Sequence, residues 1–231
     1  MKKIMATAIL TLSSSSLFAT SIQHTGIDWN RGLTVQISAD GKAKDVSAGV
    51  GVLLVDGTNL IDAFCVNLFT GISVNQTYAA VAIDSADYDV DGPSAAWLVQ
   101  NFLPLVNAAS GVTRQIEGAA LQLAIWDTIH DGGDGFAAGR IRSTGSTTAT
   151  VLALAEQWSL AAVNQNGTAN VYTAAPGARA FQQQIFLPVC TDANGCQSGG
   201  EVPEPSTIAM MLIGGAGVLF GSWRRRANAA E

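Results

Sequence analysis

The chain has 231 residues, 48% of them apolar and only 13% charged, with a formal net charge of −6. That is too apolar for disorder throughout and long enough for one principal domain with a buried core. Between residues 22 and 202 there are seven basic and sixteen acidic side chains, a balance of −9, so no basic surface is available for a phosphate backbone and nucleic acid is excluded as a partner.

Lys2 and Lys3 precede an apolar stretch over residues 4–12 and a small, polar run that ends in Ala19-Thr20-Ser21. A positive start, a short apolar middle and small residues near a cut are the parts of a secretory signal, and the apolar stretch is too short to span a bilayer. Residues 1–21 are therefore read as a signal peptide cut near Ala19 or Ser21.

Alternation in Leu33-Thr34-Val35-Gln36-Ile37-Ser38, an apolar run over residues 50–55 and the segment around Cys65 predict strands, the last two joined by an Asp56-Gly57 turn. Residues 78–83 form a further candidate. Pro93 then opens a helical stretch that Pro104 is expected to break or kink. A second helix is expected over 113–129 with Thr113 as its cap, ending in the glycine-rich His130-Asp131-Gly132-Gly133-Asp134-Gly135. A third is expected over 147–164, with Gly167 just past its end. Val171-Tyr172 and residues 184–189 read as returning strands. The fold class is α+β: a strand-rich sandwich or barrel-like core with an inserted helical portion, followed by a C-terminal transmembrane sorting helix.

Export permits disulfides, and the chain has three cysteines. Cys190 and Cys196 bracket the turn formers Thr-Asp-Ala-Asn-Gly and read as a small disulfide loop, which leaves Cys65 without a partner. On a helical wheel Gln122 projects from the apolar face, between Trp126, Ala119 and Leu123 on one side and Ile125 and Gly118 on the other. Glu117, Asp127, Thr128 and Asp131 occupy the opposite arc. A buried amide left unpaired costs about 1–3 kcal/mol. A hydrogen-bond partner would compensate for it, and so would a covalent bond to a facing cysteine.

Leu121-Gln122-Leu123-Ala124-Ile125-Trp126 resembles the Thr-Gln-x-Ala-Ile-Trp box of the thioester domains on Gram-positive adhesins, and Phe64-Cys65 resembles their upstream aromatic-Cys segment. The likeness extends through Ala96-Trp97-Leu98 and Asn101-Phe102-Leu103-Pro104 and spans about residues 63–131. Leu121 stands where the family commonly has threonine, and Val66-Asn67 lacks the acidic residue often found after the cysteine. The resemblance implies that Cys65 supplies sulfur and Gln122 the acyl carbon of an internal thioester. Such a bond is a single-use covalent trap for a surface amine or a hydroxyl, without turnover.

Residues 202–206, Val-Pro-Glu-Pro-Ser, precede an uncharged apolar stretch over 207–223 and then Arg224, Arg225 and Arg226. The stretch is long enough to cross a membrane, with the arginines on the cytoplasmic side. Pro203, Glu204 and Pro205, the apolar helix and the basic tail resemble the PEP-CTERM sorting signal. That resemblance implies an exosortase-type enzyme as partner, a transient inner-membrane anchor, and a final place at the cell surface or in an exopolysaccharide or biofilm matrix. The predicted organisation is a signal peptide (1–21), a thioester-domain-like ectodomain (22–189), a cysteine loop and linker (190–205), and the sorting helix with its basic tail (206–226).

Other chemistry is thinly supported. Asp87, Asp89 and Asp91 match the first half of a calcium loop, but Leu98 stands where the bidentate glutamate belongs, leaving them as weak calcium candidates beside a solvated acidic turn. Asp131 and Asp134 are explained by glycine turn chemistry as well as by a cation. His130 is a candidate proton acceptor or a helix-end cap. Two histidines give zinc little to bind, and no Gly-x-Ser-x-Gly elbow occurs. No cofactor is expected, and no enzyme activity beyond one acyl transfer.

Overall fold

The computed structural model describes residues 19–144 and 147–188. The signal peptide up to residue 18, Cys190 and Cys196, the Pro203-Glu204-Pro205 motif, the predicted membrane span and Arg224–226 lie outside the described residues. Among the described residues no helix is long and apolar enough to cross a membrane.

Strands β1 (Thr20–Ala39) and β2 (Lys42–Val55) form a long antiparallel hairpin. Asp40 and Gly41 turn it with φ of 48° and 76°, the left-handed pair that matches the twist of a tight hairpin. Both strands run well beyond the apolar stretches that predicted them, because backbone pairing continues through the polar Lys42–Asp45 and Gln23–His24 segments. Asp56-Gly57 turns β2 into β3 (Asn59–Cys65) as expected, and β4 (Thr77–Asp84) follows.

Four helices come next in the chain, interrupted by one short strand. They are α1 (Ser85–Tyr88), α2 (Gly92–Ala108), α3 (Gly111–Asp131) and, after β5 (Ile141–Ser143), α4 (Ala149–Ala162). Strands β6 (Asn170–Ala174) and β7 (Gln184–Phe186) complete the described chain. The sheet order is β2-β3-β7-β6-β4-β1-β5, with β2 also paired to β1. The ring therefore closes, and Ile22 sits at the closure, paired to Val55 of β2 and Tyr78 of β4. Of the two predicted core types, the barrel is the one formed.

Alternation sends every second side chain inward. Ile22, Leu53, Val55, Ala63, Tyr78, Ala80, Tyr172 and Phe186 fill the interior together with Phe181 from the β6–β7 connection. Tyr172 stacks on Phe186 at 4.2 Å, and Tyr78 lies 5.0 Å from Phe181. The larger core lies outside the ring, where the helices cover Phe64, Val171, Ile185 and the far half of the β1–β2 hairpin.

Three expectations for the helices are corrected. Pro104 does not end α2, which continues to Ala108. An interior proline costs about 3 kcal/mol, and the burial of Phe102, Leu103 and Val106 on both sides of it opposes that cost. Helix α3 begins at Gly111 rather than at Thr113, with Ser110 in the capping position and no side-chain cap bond. Gly167 is not a helix cap either. Its N–H donates to the Pro93 carbonyl at 2.9 Å, and a Cβ there would overlap the Trp97 backbone, so it marks a close approach to the first turn of α2.

Helix α3 is buried continuously from Gly118 to Ile129. The polar arc read on its wheel is only partly outward, because α4 covers it: Asp127 is fully buried beside Ser159. Gly132, with φ of 70°, ends α3, and its N–H donates to the Thr128 carbonyl at 3.1 Å.

Candidate functional site

Cys65 is the last residue of β3, two positions beyond the inward-facing Ala63. By alternation it shares that face, and it packs with the helix-covered core at the barrel end. It pairs with Gln184 of β7, which stands two positions before the inward-facing Phe186. His24 stands two positions after Ile22 on β1. Strand periodicity thus places His24, Cys65 and Gln184 as a polar layer over one end of an apolar barrel.

Helix α3 delivers Gln122 to this layer. The Cys65 N–H donates to Gln122 Oε1 at 3.0 Å, and Gln122 Nε2 donates to the Cys65 carbonyl at 2.7 Å. Residues 57 positions apart are in contact. The Gln122 side chain is fully buried, and both ends of its carboxamide are paired with the peptide groups of Cys65. One of these bonds is accepted at the C=O, and the other is donated by the NH₂.

The Cys65 thiol is free and buried. Gln184 Nε2 donates to its sulfur at 3.2 Å and also to the Gln182 carbonyl at 3.0 Å. Burial pushes the thiol up to about 11, against a smaller opposing effect of Gln184, so it is protonated at neutral pH. This is not an exposed reactive thiolate of the kind that thiol hydrolases use.

His130 faces another task. Its Nε2 accepts from the Leu68 N–H at 3.4 Å, and Phe69 meets its ring edge-on at 5.0 Å. Arg140 lies 4.3 Å above Phe69 and holds Asp40 through two hydrogen bonds of 2.9 and 3.0 Å. Burial keeps the ring neutral and able to accept. His130 pins the loop that follows Cys65.

The sequence reading missed His24 and Gln184. A period of two counted from Ile22 and back from Phe186 was the available signal for both. A cavity of about 880 Å³ opens at the same barrel end, and His24, Cys65, Trp126, Phe69, Trp29 and Gln182 are among the residues that line it.

Of the calcium candidates, Asp89 Oδ1 accepts from the Asp91 N–H at 3.0 Å, and just before them Asp84 Oδ1 accepts from the Ala86 N–H at 2.8 Å. Among the described residues the carboxylates that do gather are Asp127, Asp131 and Asp134, with oxygens within 4.8 Å of one another. Asp131 accepts from the Arg140 and Ile141 N–H groups, each at 2.8 Å, and Asp127 from the Gly135 N–H at 3.1 Å. Turn chemistry accounts for these bonds.

Burial, opposed by Ser159 and Gly135 and reinforced by Asp134 and Asp131, pushes Asp127 up to about 6. With its folded value raised, the carboxyl favours the fold when protonated, and that contribution is lost as pH rises through about 6. Asp127→Asn should therefore raise stability by about 1–3 kcal/mol at pH 7 and by much less at pH 4. Urea midpoints at the two pH values check this.

Beyond the described residues, residues 201–226 of the sequence match the PEP-CTERM protein-sorting motif. The motif marks an exported protein that an exosortase-type enzyme sorts through a membrane-anchored intermediate. No curated protein and no solved structure matches the chain.

Proposed function

We propose that this exported protein closes an internal thioester between Cys65 Sγ and the Gln122 side-chain carbonyl carbon, and uses it once for covalent attachment at the cell surface or in the surrounding matrix. The contact between the Gln122 carboxamide and the Cys65 peptide carries the reading. In closure a C–S bond forms, the C–N bond breaks, and the thiol proton leaves with the departing nitrogen as ammonia. In attachment an amine displaces the sulfur, an amide forms on residue 122, and the thiol is regenerated. Proximity and the polarising Cys65 N–H supply the rate, and no turnover follows.

A second reading has its own support. The carboxamide is already satisfied by two hydrogen bonds and the sulfur rests on Gln184. In this reading the pair is a polar clamp between β3 and α3 in a noncovalent structural protein of the matrix.

Intact mass separates the two. The thioester form is one ammonia lighter than the sequence and gains one methylamine on treatment, and Cys65→Ala shows neither change. Full sequence mass, no methylamine uptake and a thiol that labels on unfolding would establish the clamp instead.

A further inference from the structure

His24 is 5% exposed, and among the described residues no protein group hydrogen-bonds either of its ring nitrogens. A buried polar ring without a partner is costly, and strand alternation would accept an aliphatic side chain there as it does at Ile22. The ring is instead given room. Leu53 of β2 pairs with His24, and at Gly51, two residues before it, a Cβ would come within 3.2 Å of His24 Nε2. His24 lines the same cavity as Cys65, and so does Trp126, whose Nε1 also has no partner.

We propose that the barrel-end cavity is the acceptor site of the thioester and that His24 is its general base, so that hydroxyl groups as well as amines displace the Cys65 sulfur. The inference rests on the thioester reading and extends it to the class of acceptor. An amine attacks with a lone pair it already has and loses its proton afterwards. A hydroxyl is a poor nucleophile until a base takes its proton, and a positioned base is worth about 10²–10⁴-fold.

Burial lowers the affinity of His24 for protons, so the ring is neutral at pH 7 and free to accept one. At about 880 Å³ the cavity is of the size that admits a small polyol or one sugar unit. Half-exposed Trp29 and Phe69 give its walls flat apolar faces, and Lys44 and Asp45 supply charges of both signs.

The acceptor O–H gives its proton to His24 as oxygen bonds to the Gln122 acyl carbon. The C–S bond then breaks and the sulfur takes the proton from the imidazolium. The products are an ester on residue 122 and the Cys65 thiol, with no oxidant or reductant consumed. Water is the smallest hydroxyl acceptor, so the same base sets the lifetime of the bond.

The test compares glycerol and methylamine as acceptors on the mature exported protein, wild type and His24→Gln, followed by intact mass. Glycerol should add to the wild type, and H24Q should add it about 100-fold more slowly while methylamine uptake falls by less than about tenfold. Wild-type protein that takes methylamine and never glycerol overturns the inference, as does an H24Q that takes glycerol at the wild-type rate. Absence of the ammonia deficit from the wild type fails the thioester reading itself and is seen before any acceptor is added. If H24Q lacks the deficit, His24→Asn is measured in its place. Loss of the deficit in both variants assigns His24 to closure of the bond and overturns its role toward acceptors.

Discussion

Gln122→Glu should destabilise the protein by about 3–5 kcal/mol at pH 7 and recover most of that loss in acid. The substitution changes one atom in a fully buried side chain. As an amide, residue 122 accepts from the Cys65 N–H and donates to the Cys65 carbonyl. An ionised carboxylate keeps the first bond but sets an oxygen against the carbonyl oxygen, a repulsion in a site without a counter-charge. A protonated carboxyl restores the pattern, since its O–H donates where the NH₂ did. Burial and the facing carbonyl therefore raise the folded-state pKa of the new glutamate. Its favourable contribution is present at low pH and is lost as pH rises through that raised value. Urea titrations from pH 4 to 8 read the slope against that of the wild type, and a profile that coincides with the wild type would mean that the clamp geometry is wrong. The variant should also keep its full mass and take up no methylamine.

Gly118→Ala should cost about 1–3 kcal/mol and slow thioester closure by about 100-fold. Gly118 is one helical turn before Gln122, and α3 crosses β1 there so closely that a Cβ would overlap the Arg31 carbonyl. The strand cannot retreat easily. The Arg31 side chain is fixed by Asp28 at 2.7 Å, by Asp62 at 2.8 Å and by Asn107 at 2.9 Å. The added methyl must therefore push α3 outward and carry Gln122 away from Cys65. Thermal midpoint and the fraction of protein with the ammonia deficit check the two parts, and a variant with wild-type values in both would show that α3 tolerates a wider approach.

Much of this arrangement was legible before folding. The Cys65–Gln122 contact followed from an unpaired cysteine and an amide on an apolar helix face, because a buried amide needs a partner and few were available. Strand centres were legible for the same reason: alternation records which face is dry. The ends of β1 and β2 were not, since their outer residues are polar and are held by backbone pairing that carries no side-chain signature. The burial of Asp127 was hidden because α4, distant in sequence, covers a face that the wheel alone leaves open. The burial of His24 was hidden because a lone histidine close behind the signal peptide carries no local mark of a dry face. Only ring closure, which pairs Ile22 with two strands at once, shows that this segment belongs to the barrel interior.

Strand β7 is only three residues long and is the last strand among the described residues. One of those residues, Gln184, carries the amide that rests on the Cys65 sulfur. Among the described residues, tension applied through the C-terminal end of the anchored sorting intermediate is thus borne first by a strand with few backbone bonds, directly beside the thiol. Mechanical load on the tether and the chemical state of Cys65 share one short lever.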